Sequence, residues 1–135
     1  MEKLTFKTGT YPELITEADK LRQEVFIDEQ NVPCDEVFDG MNEKSVHFVA
    51  FDKTTPVATA RATNNDGSWR IGLVAVKNSR RGERLGEKIM HEAISHIFSC
   101  KGHEILLAAQ LEVKRFYERL GFVHTKILNM SSAWV

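Results

Sequence analysis

At 135 residues, 42% of them hydrophobic and 27% charged, the chain has the length and composition of one globular domain that can bury its own core. A net charge of −1 excludes a general nucleic-acid binder, which would need a clearly basic surface. No apolar run approaches the roughly 20 residues that span a bilayer, so a membrane partner is not expected either.

Leu4–Lys7 is the first predicted strand, and Gly9–Pro12 breaks it. Pro12 suits the first turn of a helix. Leu14, Ala18, Leu21 and Val25 then line one face of a helix predicted from about Tyr11 to Asp28. Glu29–Lys44 has no clear period, and one short helix is expected near Val37–Met41. Val46–Phe51 is almost entirely apolar, as in a strand covered on both faces. Pro56–Thr63 is a further strand. The run Asn64-Asn65-Asp66-Gly67-Ser68 is a strong turn signal, so Trp69–Val76 should return antiparallel.

Lys77–Glu83 is a polar loop. The helix after it carries Leu85, Ile89, Ala93 and Ile97 on one line, with Met90, Ile94 and Phe98 beside them. Ile105–Ala109 reads as a short strand, Leu111–Leu120 as a helix closed by Gly121, and Phe122–Leu128 as a last strand. The order predicts a single domain over residues 1–135, of mixed α/β (α+β) class, with helices on the faces of a sheet.

Cys34 and Cys100 are too few for a disulfide scaffold and lack the close pairing of a zinc site. They are expected to be free thiols. The opening MEKLTFKTGTYPEL has no apolar signal core, so the expected compartment is the cytoplasm. His91 and His96 are five residues apart, whereas a helical metal pair needs a spacing of four, so no metal is expected.

Four groups of residues could carry chemistry. In Arg80–Gly86 (RRGERLG), a strand runs through a glycine loop into a helix. Helix N-terminal amides favour anions, Gly82 and Gly86 admit a close ligand, and Arg80, Arg81 and Arg84 are suited to phosphate. The same spacing also fits an ordinary basic loop that caps a helix. Tyr117 could donate a proton to a leaving thiolate, or pack in the core with its hydroxyl satisfied. His47 could be a base or a satisfied structural histidine. The acidic loop with Glu29, Asp35, Glu36, Asp39 and Glu43 could attract a cationic amine or simply be solvated. Cys34 lies in that loop with no His/Asn partner pattern beside it. A cysteine-dependent hydrolase is therefore the weakest reading.

Together these segments resemble the GNAT superfamily of acetyl-CoA-dependent N-acetyltransferases. Arg81-Gly82-Glu83-Arg84-Leu85-Gly86 lies on the family's R/Q-x-x-G-x-G/A signature. Gln110 lies where many members carry Asn, seven residues before the Tyr of Phe116–Phe122. The chain is similar in particular to the small bacterial ElaA/YjcF-like members. Leu21-Arg22, Val25-Phe26, Glu29-Gln30, Pro33, Asp39, His47-Phe48, Arg61, Val74-Ala75-Val76 and Ala109-Gln110 carry that likeness.

The resemblance implies the GNAT fold, a mostly antiparallel sheet that splays between its fourth and fifth strands. It implies acetyl-CoA as cosubstrate and a small-molecule or peptide amine as acceptor. The coenzyme would be bound by Leu73, Val74, Ala75, Val76, Arg81, Gly82, Glu83, Arg84, Leu85, Gly86, Gln110 and Phe116. Tyr117 would be the proton donor, and His47 and Glu36 are the candidates for base. An acyl-CoA-binding module without catalysis is the alternative. Three positions depart from the family pattern. Arg84 stands on the second signature glycine, Leu73 stands where the subgroup usually has Arg, and little chain follows Asn129 for a final strand. That strand is either truncated or completed by a partner such as a second copy of the chain.

Overall fold

The computed structural model describes residues 4–102 and 104–107. Five strands form one sheet in the order β1-β2-β3-β4-β5. They are β1 (Leu4–Gly9), β2 (Ser45–Asp52), β3 (Thr55–Asn65), β4 (Ser68–Val76) and β5 (Glu104–Leu107). The first four pair antiparallel, and β5 joins β4 in parallel. The expected mixed α/β class is found. The expected helix Leu111–Leu120 and strand Phe122–Leu128, with Gln110, Phe116 and Tyr117, lie outside the described residues.

Helices cover both faces. α1 (Tyr11–Arg22) starts at Thr10, whose backbone N–H and hydroxyl both donate to the Glu13 carboxylate, at 2.9 and 2.8 Å. The helix then widens into a π-helical segment, Gln23–Glu29. The extra residue per turn turns both Val25 and Phe26 inward, so the simple apolar line drawn through Val25 becomes a broader buried face. The short helix α2 occupies Cys34–Val37, just before the predicted place. α3 (Leu85–Ser99) buries the predicted line Leu85, Ile89, Ala93 and Ile97. Phe98, predicted beside that line, is 69% exposed.

β2 packs on both sides, which explains its continuous apolar run. Phe48 and Ala50 meet the α3 layer, while Val49 and Phe51 meet Leu14 and Ala18 of α1. The β3–β4 hairpin closes on Asp66 (φ 53°) and Gly67 (φ 89°), both left-handed, as a two-residue turn of the primed type requires. The Gly67 N–H donates to the Asn64 side chain at 2.7 Å.

β4 contains one residue more than its partner. Arg61 pairs with Gly72 but Thr59 pairs with Ala75, so three steps on β4 match two on β3. The surplus falls at Leu73, whose φ is +49°. A one-residue bulge reverses the facing of everything after it. Trp69 and Ile71 face α3, yet past the bulge Val74 and Val76 face it, while Leu73 and Ala75 join Leu21, Val25 and Phe26 on the opposite side.

A chain of polar groups runs through the α1 face. Tyr11 donates to Asp19, and Arg22 pairs with Asp19 at 3.6 Å. The Arg22 guanidinium donates to His47 Nδ1 at 2.8 Å, and His47 Nε2 meets the Asn42 carbonyl at 2.8 Å. Because arginine only donates, Nδ1 must accept, and Nε2 carries the proton. Asn42 Oδ1 in turn accepts from Arg61, which holds both oxygens of Asp39 at 2.9 and 2.8 Å. Arg22 and His47 are both 0% exposed. Burial pushes the Arg22 pKa down to about 10, so it remains a cation at neutral pH. Burial first, and then the Arg22 charge, hold His47 down to about 4.

That depressed value links stability to pH. An unfolded histidine titrates near 6.5, so between 6.5 and about 4 the unfolded chain takes up a proton that the fold excludes. Stability should therefore fall as pH drops through this window, by on the order of 3 kcal/mol from His47. Denaturant titrations at pH 7, 6, 5 and 4.5 should show that slope. His47→Gln, which cannot titrate, should flatten it.

Candidate functional site

β4 ends at Val76, and a polar loop carries the chain to α3. Within that loop Gly82 is left-handed at φ +90°. Arg84, the residue before the helix, is left-handed as well, at φ 62° and ψ 26°. No side chain caps this helix start. The first intrahelical bond runs from Lys88 N–H to the Arg84 carbonyl at 3.1 Å. The amides of Leu85, Gly86 and Glu87 therefore have no acceptor within the helix, as a helix start requires. A fifteen-residue helix adds its dipole to these amides, which suits an anion.

The side chains around the loop differ from expectation. Two of the three arginines expected to meet phosphate brace the loop instead. Arg80 pairs with Asp52 at 2.8 Å and with Glu83 at 3.0 Å. Arg81 grips Glu29 with two bonds of 2.5 and 2.8 Å, and its Nε donates to the Val76 carbonyl at 3.3 Å. A third tie joins Lys77 to Glu24 at 3.1 Å. The loop is thus anchored to the π-helical segment at Glu24 and Glu29 and to the end of β2 at Asp52. Glu83, expected at the ligand, has its carboxylate turned to Arg80. The Arg84 side chain is exposed at the helix start.

Leu73, Val74, Ala75 and Val76 are all buried. They pair with β3 on one edge. On the other edge, the β5 ladder among the described residues runs only from Ser68 to Ile71. Beyond the bulge, on the side away from the loop, lies a cavity of about 590 Å³. Among the described residues, Asp39, Lys44, Arg61, Asn64, Arg70 and Gly72 contribute to its lining. The bulge therefore stands between the amide-lined loop and the cavity.

Neither proposed base is part of that cavity. His47 lies beneath the α1 face with both ring nitrogens engaged, one by Arg22 and one by Asn42, so no lone pair remains to take a substrate proton. Its reading as a base is corrected to a structural one. Glu36 is exposed on α2 and does not line the cavity. The acidic loop is also less acidic than its sequence suggests. Glu29 is neutralised by Arg81 and Asp39 by Arg61, and each partner's hydrogen bonds hold the carboxyl below its ordinary pKa. Cys34 is an exposed free thiol.

Asn42, Lys44 and Arg70 were not singled out from sequence. Arg70 had a readable signal. Ser68, Arg70 and Gly72 alternate with Trp69 and Ile71, which marks a strand with one polar face ahead of the bulge. Asn42 and Lys44 sit in a short 3₁₀ turn that no periodicity announces.

The left-handed backbone at Arg84 explains why a glycine suits that position. A side chain there costs about 1 kcal/mol. Arg84→Gly should therefore be about 1 kcal/mol more stable than Arg84→Ala in urea denaturation, the reverse of their order inside a helix.

Residues 12–132 match the family model of the acetyltransferase (GNAT) domain. The chain is 31% identical over 110 residues to the uncharacterized N-acetyltransferase YjcF of Bacillus subtilis (strain 168), covering 82% of this chain and 79% of that one. It is 30% identical over 112 residues to protein ElaA of Escherichia coli (strain K12), covering 77% of this chain and 71% of ElaA. The crystal structure of Escherichia coli ElaA superposes with a TM-score of 0.82 at 26% identity, over 90% of this chain and 88% of that one. A GNAT family acetyltransferase from Brucella melitensis in complex with acetyl-CoA shares the fold, with a TM-score of 0.76 at 17% identity over 91% of this chain and 84% of that one. The chain belongs to the GNAT acetyltransferase family and is an ElaA/YjcF-like member of it.

Proposed function

We propose that this protein transfers an acetyl or other small acyl group from acetyl-CoA directly to a primary amine. The observation that carries this reading is the uncapped amide end of α3, reached from β4 just after the bulge at Leu73. The Brucella melitensis relative supports the ligand, since it was solved with acetyl-CoA.

In this reading the pyrophosphate rests on amides from Gly82 to Gly86. The pantetheine arm lies along Leu73–Val76, and Gln110 and Phe116 complete the coenzyme side. The thioester carbonyl sits at the bulge, where a strand amide stabilises the developing oxyanion. The amine lone pair attacks that carbonyl. A C–N bond forms, the C–S bond breaks, and Tyr117 protonates the departing thiolate. An ammonium acceptor must first lose a proton. Asp39 is the only carboxylate among the described lining residues, and Arg61 keeps it a weak base. The proton therefore passes to water. Catalysis then consists chiefly of positioning.

Arg84, on the left-handed residue of the loop, favours a second reading, an acyl-CoA-binding module without turnover. Two measurements separate the readings. Calorimetry should show acetyl-CoA binding in both, and its absence at millimolar ligand removes both. Release of free thiol with an amine acceptor is expected only of the transferase. In that case Tyr117→Phe should lower kcat by about 100-fold while leaving the acetyl-CoA Kd nearly unchanged.

A further inference from the structure

The cavity beyond the bulge has an unexpected charge. Its described lining carries three cations, Lys44, Arg61 and Arg70, against one carboxylate, Asp39. Asp39 is fully taken up by Arg61, through one bond to each oxygen. Lys44 and Arg70 make no ion pair among the described residues. Among the described lining residues, two positive charges are thus left over in a molecule whose net charge is −1. The acidic side chains Glu36 and Glu43 do not line the cavity.

Arg70 and Gly72 share a face of β4, two residues apart, which is about 7 Å along a strand. Gly72 adjoins the bulge where the acyl group would sit. An acceptor whose amine lies at the bulge would place its next few atoms between Gly72 and Arg70. Asn64 adds an amide to the same lining. We infer that the acceptor is a small amine that also bears an anionic group, carboxylate or phosphate, held by Arg70 and Lys44. Polyamines, which bring further positive charge to this wall, are disfavoured by it. This inference deepens the acyl-transfer reading above and rests on it.

Matched pairs of acceptors test it in a thiol-release assay with acetyl-CoA. One arm compares L-α-amino acids and dipeptides with their C-terminal amides. The other compares phosphoethanolamine and glucosamine 6-phosphate with ethanolamine and glucosamine. The anionic member of at least one pair should exceed its neutral partner by about tenfold or more in kcat/KM. The arm in which this occurs identifies the anion. In Arg70→Ala that preference should fall about tenfold through a higher acceptor KM, and Arg70→Lys should restore part of it. Acetyl-CoA affinity, measured on each variant, reports that the fold is intact. Equal or better turnover of neutral amines or spermidine overturns the acceptor class and leaves acyl transfer standing. No thiol release from any amine, with acetyl-CoA still bound, overturns the transfer reading and this inference with it.

Discussion

One extra residue in β4 organises this molecule. Leu73 adopts φ +49° because β4 must gain a residue on β3 between Gly72 and Ala75. A β-branched or bulky side chain rarely tolerates that region, so the surrounding packing must impose it. The consequence is a change of face. Before Leu73, the residues facing α1 are polar or small and line a cavity. After it, Leu73 and Ala75 fill that face with apolar contacts to Leu21, Val25, Phe26 and Val37. The wet and dry halves of one strand thus meet at a single strained residue.

Charged side chains near this junction serve mainly to hold it. The α1 layer is tied to β2 by a buried Arg22–His47 contact and to the loop before α3 by Glu24–Lys77 and Glu29–Arg81. Arg22 Nε has no hydrogen-bond partner, which makes its burial expensive. The geometry it enforces is narrow. It keeps His47 neutral, in one tautomer, against the Asn42 carbonyl, and Asn42 steadies Arg61 from its other end. A line of contacts therefore connects the first helix to the wall of the cavity.

The two ends of β4 hold their ligands by different means in the functional reading. The loop toward α3 offers backbone amides while two of its three arginines, Arg80 and Arg81, are occupied by carboxylates. Amides are fixed by the fold and suit a ligand part common to every reaction cycle. The cavity offers long side chains, Arg70 and Lys44, on a hairpin and a short turn. Such groups change readily between relatives without disturbing the core, as an acceptor-specific wall requires.

The sequence by itself determined the strands and the two long helices of the described region, the strand–loop–helix around Gly82, and the resemblance that the family match confirms, but not the π-helical segment or the short 3₁₀ turn. Each of these depends on local spacing: the α3 apolar line, the Asn64–Ser68 turn signal, the glycines between strand and helix. The run of motif residues Arg22, Glu29, Asp39, His47 and Arg61 was visible too, but its meaning was not. Spacing cannot say whether a charged side chain faces a ligand or another side chain distant in the chain, and His47 and Arg22 are 25 residues apart. Only the tertiary structure paired Glu29 with Arg81 and Asp39 with Arg61, turning an apparently acidic loop into a set of struts. Only strand pairing could locate the bulge, because a surplus residue exists solely by comparison with the neighbouring strand. That bulge, and the positive wall beside it, are what the fold added to the sequence.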